Sequence, residues 1–596
     1  MQAQAFGPQL AFSDQLHADK YRLPGEQFRE ATARIAGALK DGDDHFRDLL
    51  GIFRSMRFMP GGRIQNAMGS PKRVTPFNCY VSGTIEDSFV DGDGAIMQRA
   101  AEAAQTMRLG GGIGYDFSTL RPSGDIIRGV MSITDGPLAF LPIFDAVCKA
   151  TSSAGNRRGA QMGVMRIDHP DIIKFIHVKN TLGVLEGFNL SIAVTDKFME
   201  CLATGTPFPL TFGGRVYQEV DPVALWEMVM RSTWDWAEPG VLFIDTINNK
   251  NNLYYCETIA ATNPCGEQPL PPYGACLLGS FNLTKYIRQV SGISLIGTPR
   301  YEFDWEMFRR DIEPVVRGMD NVIDLAIYPL PQQEKEAKDK RRMGLGVTGL
   351  ANAAEALGLP YGSAGFIEFE LEVLETLRNY AYLASANLAK EKGVFPLYDA
   401  EKYLAGEFVK SLPDFVLDRI KKYGMRNSHL TSIAPTGTIS FCADYVSSGI
   451  EPVFGFQEGD GYSYEGKRQV IMPEGTIITD VSDYGFREFG VKGKFAQLVT
   501  AAEHVDVLLA AADLMDSAVS KTINVSGSMP WSEFTNIYQK VWERGGKGCT
   551  TFNADGKRMG ILLGKEEPDE DDGSMKINEN GEACYIDPVT GRRECG

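Results

Sequence analysis

The chain is 596 residues long, 43% hydrophobic and 23% charged, with a formal net charge of −17. That length allows several domains or one large barrel with additions, and the composition is that of a soluble globular protein. The acidic balance argues against nucleic-acid binding, which needs basic surface. No apolar run is long enough to cross a membrane, and no signal peptide opens the chain, so a cytoplasmic location is expected.

Residues 1 to about 55 read as helical: EQFREATARIAGALK and HFRDLLGIFRSM repeat apolar residues at spacings of three and four. From Phe58 to about Leu563, helical stretches alternate with short apolar runs. The strand-like AQMGVMRI (160–167) precedes PDIIKFIHV, and FNLSIAV (188–194) precedes a helix from Thr195. Such alternation predicts an α/β architecture. Long amphipathic helices are expected over 304–327, 364–392 and 496–520. Past Gly564 the chain turns acidic and loses its large apolar residues, which predicts a mobile tail over 565–596. That tail ends with Cys584 and Cys595. Three segments follow: a helical 1–57, a main body 58–564 and the tail 565–596.

Several glycine-rich or polar stretches invite a ligand. Gly110-Gly111-Gly112-Ile113-Gly114 closes a helical stretch and lets backbone approach closely, as a plain turn also would. Gly344-Leu345-Gly346-Val347-Thr348-Gly349 has the GxGxxG form, but a charged run precedes it where a dinucleotide site needs a strand. Tight packing at a helix start is expected instead. Ala434-Pro435-Thr436-Gly437-Thr438-Ile439-Ser440 follows strand-like HLTSI and has the hydroxyls and glycine of a phosphate cradle, or of a polar turn. Asn156-Arg157-Arg158-Gly159 is a basic loop suited to a base or phosphate, or to solvent.

The ten cysteines are scattered, which suits a reducing compartment and free thiols. Neither they nor the six histidines have metal-ligand spacing, so no metal site is read. The chemistry concentrates in Asn263-Pro264-Cys265-Gly266-Glu267, with Cys276 eleven residues on. Pro264 and Gly266 predict a tight loop, and alternation along an extended segment turns Asn263, Cys265 and Glu267 to one side. An amide, a reactive sulfur and a base then face one small molecule.

Taken in order, FMPGGRI, NCYVSGTIEDS, GGGIGYDFSTLRPSGDIIRG, GNRRGA, NPCGEQPL, RRMGLGVTGLA, APTGTISFCADYVSSGIEPVF and SKTIN resemble the catalytic chain of ribonucleotide reductases from about Phe58 to Leu563. The resemblance implies a ten-stranded α/β barrel with a central finger loop. Cys265 then matches the thiyl-radical position, Glu267 the base on the ribose 3′-hydroxyl and Asn263 its orienting partner. Cys79 and Cys276 match the electron-donating pair, and Cys584 and Cys595 the thiols that restore it by exchange. Asn78, Gly112 and Thr436, Gly437, Thr438, Ile439 and Ser440 match substrate contacts. Asp87 and Arg121 fall at the dNTP or ATP specificity-effector site, and Arg157 and Arg158 in the loop that relays its signal. About 20 flexible residues span roughly 25 Å, enough for a tail to reach inward.

The resemblance also implies a ribonucleoside di- or triphosphate substrate, thioredoxin or glutaredoxin as reductant, and a homodimer built around residues 85–108. Only about 57 residues precede the first core motif, so the family's ATP cone is expected to be absent. Class I relatives draw their radical from a separate subunit through two adjacent tyrosines. Here the matching stretch is Lys547-Gly548-Cys549-Thr550-Thr551-Phe552-Asn553. Class II, dependent on adenosylcobalamin, is therefore expected, with a class I large subunit as the alternative. A non-catalytic nucleotide-binding relative is disfavoured because all five radical-site residues are present.

Overall fold

In the computed structural model the described residues are 6–127, 129–153, 157–158, 160–181, 183–293, 299–459, 461–472, 475–553, 555–557, 584–586 and 593–595. A ten-stranded sheet forms its centre. Cys79–Val81, Gly112–Asp116, Gln161–Arg166, Phe188–Val194 and Gly240–Phe243 are parallel neighbours in that order. A second parallel set begins with Ala275–Asn282 beside Met343–Thr348. It continues through bridges from Leu345 to Thr431 and from Ile433 to Val519. It ends with Thr522–Val525 beside Gly548–Asn553.

The two sets meet antiparallel at both margins. Gly548–Asn553 pairs with Gly240–Phe243, and Ala275–Asn282 pairs with Cys79–Val81. The sheet thus closes into a barrel with two antiparallel seams, which leaves no open edge along the ring. Strands covered on both faces read as continuous apolar runs. Gly240–Phe243 and Ala275–Asn282 are buried at every position.

Helices cover the outside. Ile172–His177 and Asp196–Thr204 follow the strands expected to precede them, the second capped by Thr195 Oγ1, which accepts from the Phe198 amide at 3.2 Å. Trp305–Leu325 and Ala364–Lys392 occupy the places expected for two long amphipathic helices. The third was expected over 496–520 but spans only Ala501–Ala512. Beyond it the chain extends, because Val519 bridges to Ile433 and the segment becomes barrel wall.

The helical start is Phe28–Leu39 and Asp43–Arg54, preceded by Ala11–Tyr21, whose weak apolar periodicity hid it. Among the described residues no helix is long and apolar enough to cross a membrane. The mobile tail expected over 565–596 falls for the most part outside the described residues.

Candidate active site at the finger hairpin

The loop predicted at Asn263–Glu267 is the tip of a hairpin inside the barrel, whose arms pair Ala261 with Leu270 and Thr262 with Pro269. Gly266 turns it at φ +80°, a left-handed conformation that suits glycine. The Asn263 amide donates to the Gln268 carbonyl at 3.1 Å, and Asn263 Oδ1 accepts from the Gln268 amide at 2.9 Å. Outside residues clamp the tip. Asn189 Nδ2 donates to the Pro264 carbonyl at 3.0 Å, and the Glu267 carbonyl accepts from Ser432 Oγ and the Ala518 amide, both at 3.0 Å. Reasoning from sequence missed these three positions, since nothing local ties them to the loop.

The glycine-rich stretch after the 96–108 helix explains how the hairpin fits. A Cβ on Gly114 would stand 1.8 Å from the Thr262 carbonyl oxygen, and one on Gly112 would stand 3.1 Å from Pro264. The backbone that approaches Gly114 is therefore the finger's own. The GxGxxG stretch is likewise a packing device. Its first two glycines lie within the strand Met343–Thr348 rather than at a helix start. Gly346 admits the Ser432 carbonyl, 2.3 Å from where a Cβ would sit. Gly349, at φ +74°, then opens the helix Leu350–Ala356.

Cys79 and Cys276 face each other across the seam, as direct partners in the antiparallel pairing. Such partners have Cα atoms about 4.5 to 5.5 Å apart, within the range a disulfide spans. Asn263 Nδ2 donates to Cys79 Sγ at 3.2 Å, and Cys79 Sγ lies 3.7 Å from Glu267 Oε1. Burial pushes both thiols well above the ordinary range, and the Glu267 carboxylate adds to the rise at Cys79. Both are free thiols.

Cys265, 7% exposed, lines a pocket together with Met162, Leu242, Leu508, Lys521 and Cys549. Its sulfur is engaged in a disulfide whose partner lies outside the described side chains.

The remaining predicted residues fall into groups. Asn78 and Gly112 adjoin Cys79: the Gly112 amide donates to the Asn78 carbonyl at 2.9 Å, and Gly112 pairs in register with Cys79. Asn78 Oδ1 is buried without a hydrogen bond among the described residues.

Thr436, at φ +54°, opens the short helix Gly437–Cys442, which carries Thr438, Ile439 and Ser440. Thr436 Oγ1 meets Thr348 Oγ1 at 3.1 Å and accepts from the Gly449 amide at 2.7 Å. Away from the hairpin, Asp87 and Arg121 form an ion pair, Nε to Oδ2, at 2.7 Å. Arg157 and Arg158 lie in a short strand opposite Ser153 and Ser152; their side chains lie outside the described residues. Cys584 and Cys595 are paired across two short strands, one of which, Arg593–Cys595, packs on the helix Gly437–Cys442.

A family model described as ribonucleotide reductase, barrel domain, matches residues 78–552. The chain belongs to the ribonucleotide reductase family. Its relatives include a vitamin B12-dependent ribonucleoside-diphosphate reductase of Mycobacterium tuberculosis, 30% identical over 93% of this chain and 79% of that one. A reductase of the same name from Thermoplasma acidophilum is 32% identical over 81% of this chain and 62% of that one. A vitamin B12-dependent ribonucleotide reductase of Streptomyces coelicolor is 25% identical over 88% and 61%. The matched reductase region takes in the finger hairpin, both seam cysteines and the 436–440 turn.

Proposed function

We propose that this protein reduces ribonucleotides to 2′-deoxyribonucleotides by a thiyl-radical mechanism initiated by adenosylcobalamin. The observation that carries it is the register of Cys79 against Cys276, with Asn263 and Glu267 of the fingertip turned onto Cys79. Loss of a 2′-hydroxyl as water needs two electrons and two protons, which two thiols supply on becoming a disulfide. Cys265, as a sulfur radical, takes the 3′ hydrogen and later returns it. Glu267 takes the proton of the 3′-hydroxyl. Asn263 holds Cys79, and Gly112 admits Pro264 of the fingertip.

The cofactor reading is supported by the names of the relatives and by the pocket at Cys265. Its walls combine apolar Met162, Leu242 and Leu508 with polar Lys521 and Thr550. The residues of this pocket would hold the adenosyl side of adenosylcobalamin, which would supply the radical chemistry to Cys265. The strand Gly548–Asn553 reaches this wall with Gly548, Cys549 and Thr550 rather than two tyrosines, which weighs against the class I alternative.

Residues 436–440 are read as the substrate-phosphate turn, and the substrate as a ribonucleoside diphosphate, after the printed names of the relatives. Asp87 and Arg121 are read as part of the specificity-effector site. Exposed Phe89 and Met97 support a homodimer through the neighbouring helix. Cys584 and Cys595 are read as the thiols that reopen the active-site disulfide, recharged by thioredoxin or glutaredoxin. The main body 58–564 is read as the catalytic unit, with 1–57 packed on it and 565–596 as its redox tail.

Purified, reduced protein supplied with adenosylcobalamin, a ribonucleoside diphosphate, an effector and a dithiol is expected to yield the deoxyribonucleotide. Absence of product with cobalamin, restored by a metal-containing radical subunit, would replace this reading with the class I one.

A further inference from the structure

The two seam thiols stand in different surroundings. Cys79 faces the finger hairpin, with Asn263 Nδ2 3.2 Å and Glu267 Oε1 3.7 Å from its sulfur. The Cys276 thiol donates to the Leu277 carbonyl at 3.5 Å, and its exposure is 0% against 2% for Cys79.

On the far side of Cys276 stands a fixed cation. Leu277 and Met343 are parallel partners, so the residues preceding them, Cys276 and Arg342, are adjacent across the same pair of strands. The Arg342 side chain is 2% exposed. It donates to Glu336 Oε1 at 2.6 Å and to Glu257, and both carboxylates also pair with Lys340, at 2.9 and 2.8 Å. Two buried carboxylates thus hold the guanidinium in place. Burial raises both thiols; among the charges, Arg342 comes first at Cys276 and lowers it, against Asp516, Glu267 and Glu336, which raise it, whereas at Cys79 Glu267 raises and the Asn263 hydrogen bond lowers.

In thiol–disulfide exchange the better leaving sulfur is the one whose thiolate is more stable, and the attacked sulfur must be accessible. We propose that the Cys79–Cys276 disulfide is opened from one side, by attack on Cys79, with Arg342 as the positioning residue for the departing Cys276 sulfur. The attacking thiolate bonds to Cys79 Sγ, the Cys79–Cys276 bond breaks, and its electron pair leaves on Cys276, which then takes a proton. A second thiolate attacks the incoming sulfur of the mixed disulfide and releases Cys79 as the thiolate, which is protonated in turn. The inference rests on the reading of Cys79 and Cys276 as the electron-donating pair.

Two full-length variants, Cys584→Ser and Cys595→Ser, each retain one tail thiol and cannot resolve a mixed disulfide. Each is reduced, allowed one turnover with adenosylcobalamin, ribonucleotide and effector, quenched with iodoacetamide and mapped by mass spectrometry. The expected product links the remaining tail cysteine to Cys79 and carries the alkyl group on Cys276, in about tenfold excess over the reverse. A dominant link to Cys276, or equal amounts of both, would overturn the proposal.

The double variant Cys584→Ser/Cys595→Ser, treated after turnover with cysteamine, reads the same preference without the tail. Cysteamine on Cys79 alongside no tail adduct supports the one-sided opening and rejects the tail as carrier. Absence of the Cys79–Cys276 disulfide after turnover overturns the pair itself, and the inference with it. Arg342→Gln is expected to lower the ratio of multiple-turnover to single-turnover rate about tenfold, with Arg342→Lys restoring most of it. A ratio unchanged in Arg342→Gln would remove Arg342 from the step.

Discussion

Cys79 stands directly opposite Cys276 where one antiparallel seam of the barrel closes. The fold thus sets two thiols at disulfide spacing inside a wall that is otherwise hydrogen-bonded backbone. After one anaerobic turnover without reductant, peptide mapping is expected to find a Cys79–Cys276 disulfide. Cys276→Ser is expected to lose both the disulfide and sustained turnover.

Glu267 reaches Cys79 from the fingertip, and its own carbonyl is held by Ser432 and Ala518. The side chain is therefore placed by backbone contacts that a Glu267→Gln change leaves intact. Removing the base is expected to lower kcat by about 10²- to 10⁴-fold. Circular dichroism and the denaturant midpoint should remain close to those of the parent chain.

Gly114 is where the barrel wall and the finger backbone touch. A methyl there would meet the Thr262 carbonyl oxygen at 1.8 Å, so the hairpin must move. Gly114→Ala is expected to cost about 1–3 kcal/mol, measured by denaturant titration. The larger effect falls on rate, since a shift of about 1 Å at a reacting group can cost about 10²-fold. An unaltered kcat would mean that the fingertip is not positioned by this contact.

His17 links acid sensitivity to the first helix. It is buried, with Nε2 2.9 Å from Gln65 Oε1, and its Nδ1 accepts from Arg22 Nε at 3.1 Å. Burial, reinforced by Arg22, lowers its pKa from 6.5 to about 4. The unfolded chain therefore binds a proton below pH 6.5 that the folded chain refuses until about pH 4. Stability contributed by this residue is complete above pH 6.5, declines as pH falls, and is lower by about 3 kcal/mol near pH 4. Urea titrations across this range should show a shallower decline for His17→Gln than for the parent chain.

Much of the molecule is legible in its sequence because the signals are local. The alternation of apolar runs with helical stretches predicts the α/β order, and Pro264 and Gly266 predict a tight loop around Cys265. The hydroxyl-rich turn after HLTSI falls where the structure opens a short helix at Thr436. The order of the motifs supplies the family and its ten-stranded barrel.

Other features depend on residues distant in the chain. Residues 514–520 carry apolar periodicity but become wall, because bridging Val519 to Ile433 closes the barrel. Gly114 reads as room for a ligand, and only the folded hairpin shows that Thr262 fills it.

The amino-acid order by itself determined which side chains are available: three thiols, a carboxylate and an amide, with the glycines and prolines that bend the backbone around them. Tertiary structure alone decided which thiol meets Asn263 and Glu267 and which lies beside Arg342. Side-chain chemistry is fixed residue by residue, whereas a neighbour 60 or 200 positions away is fixed only when strand register and barrel closure bring the two together.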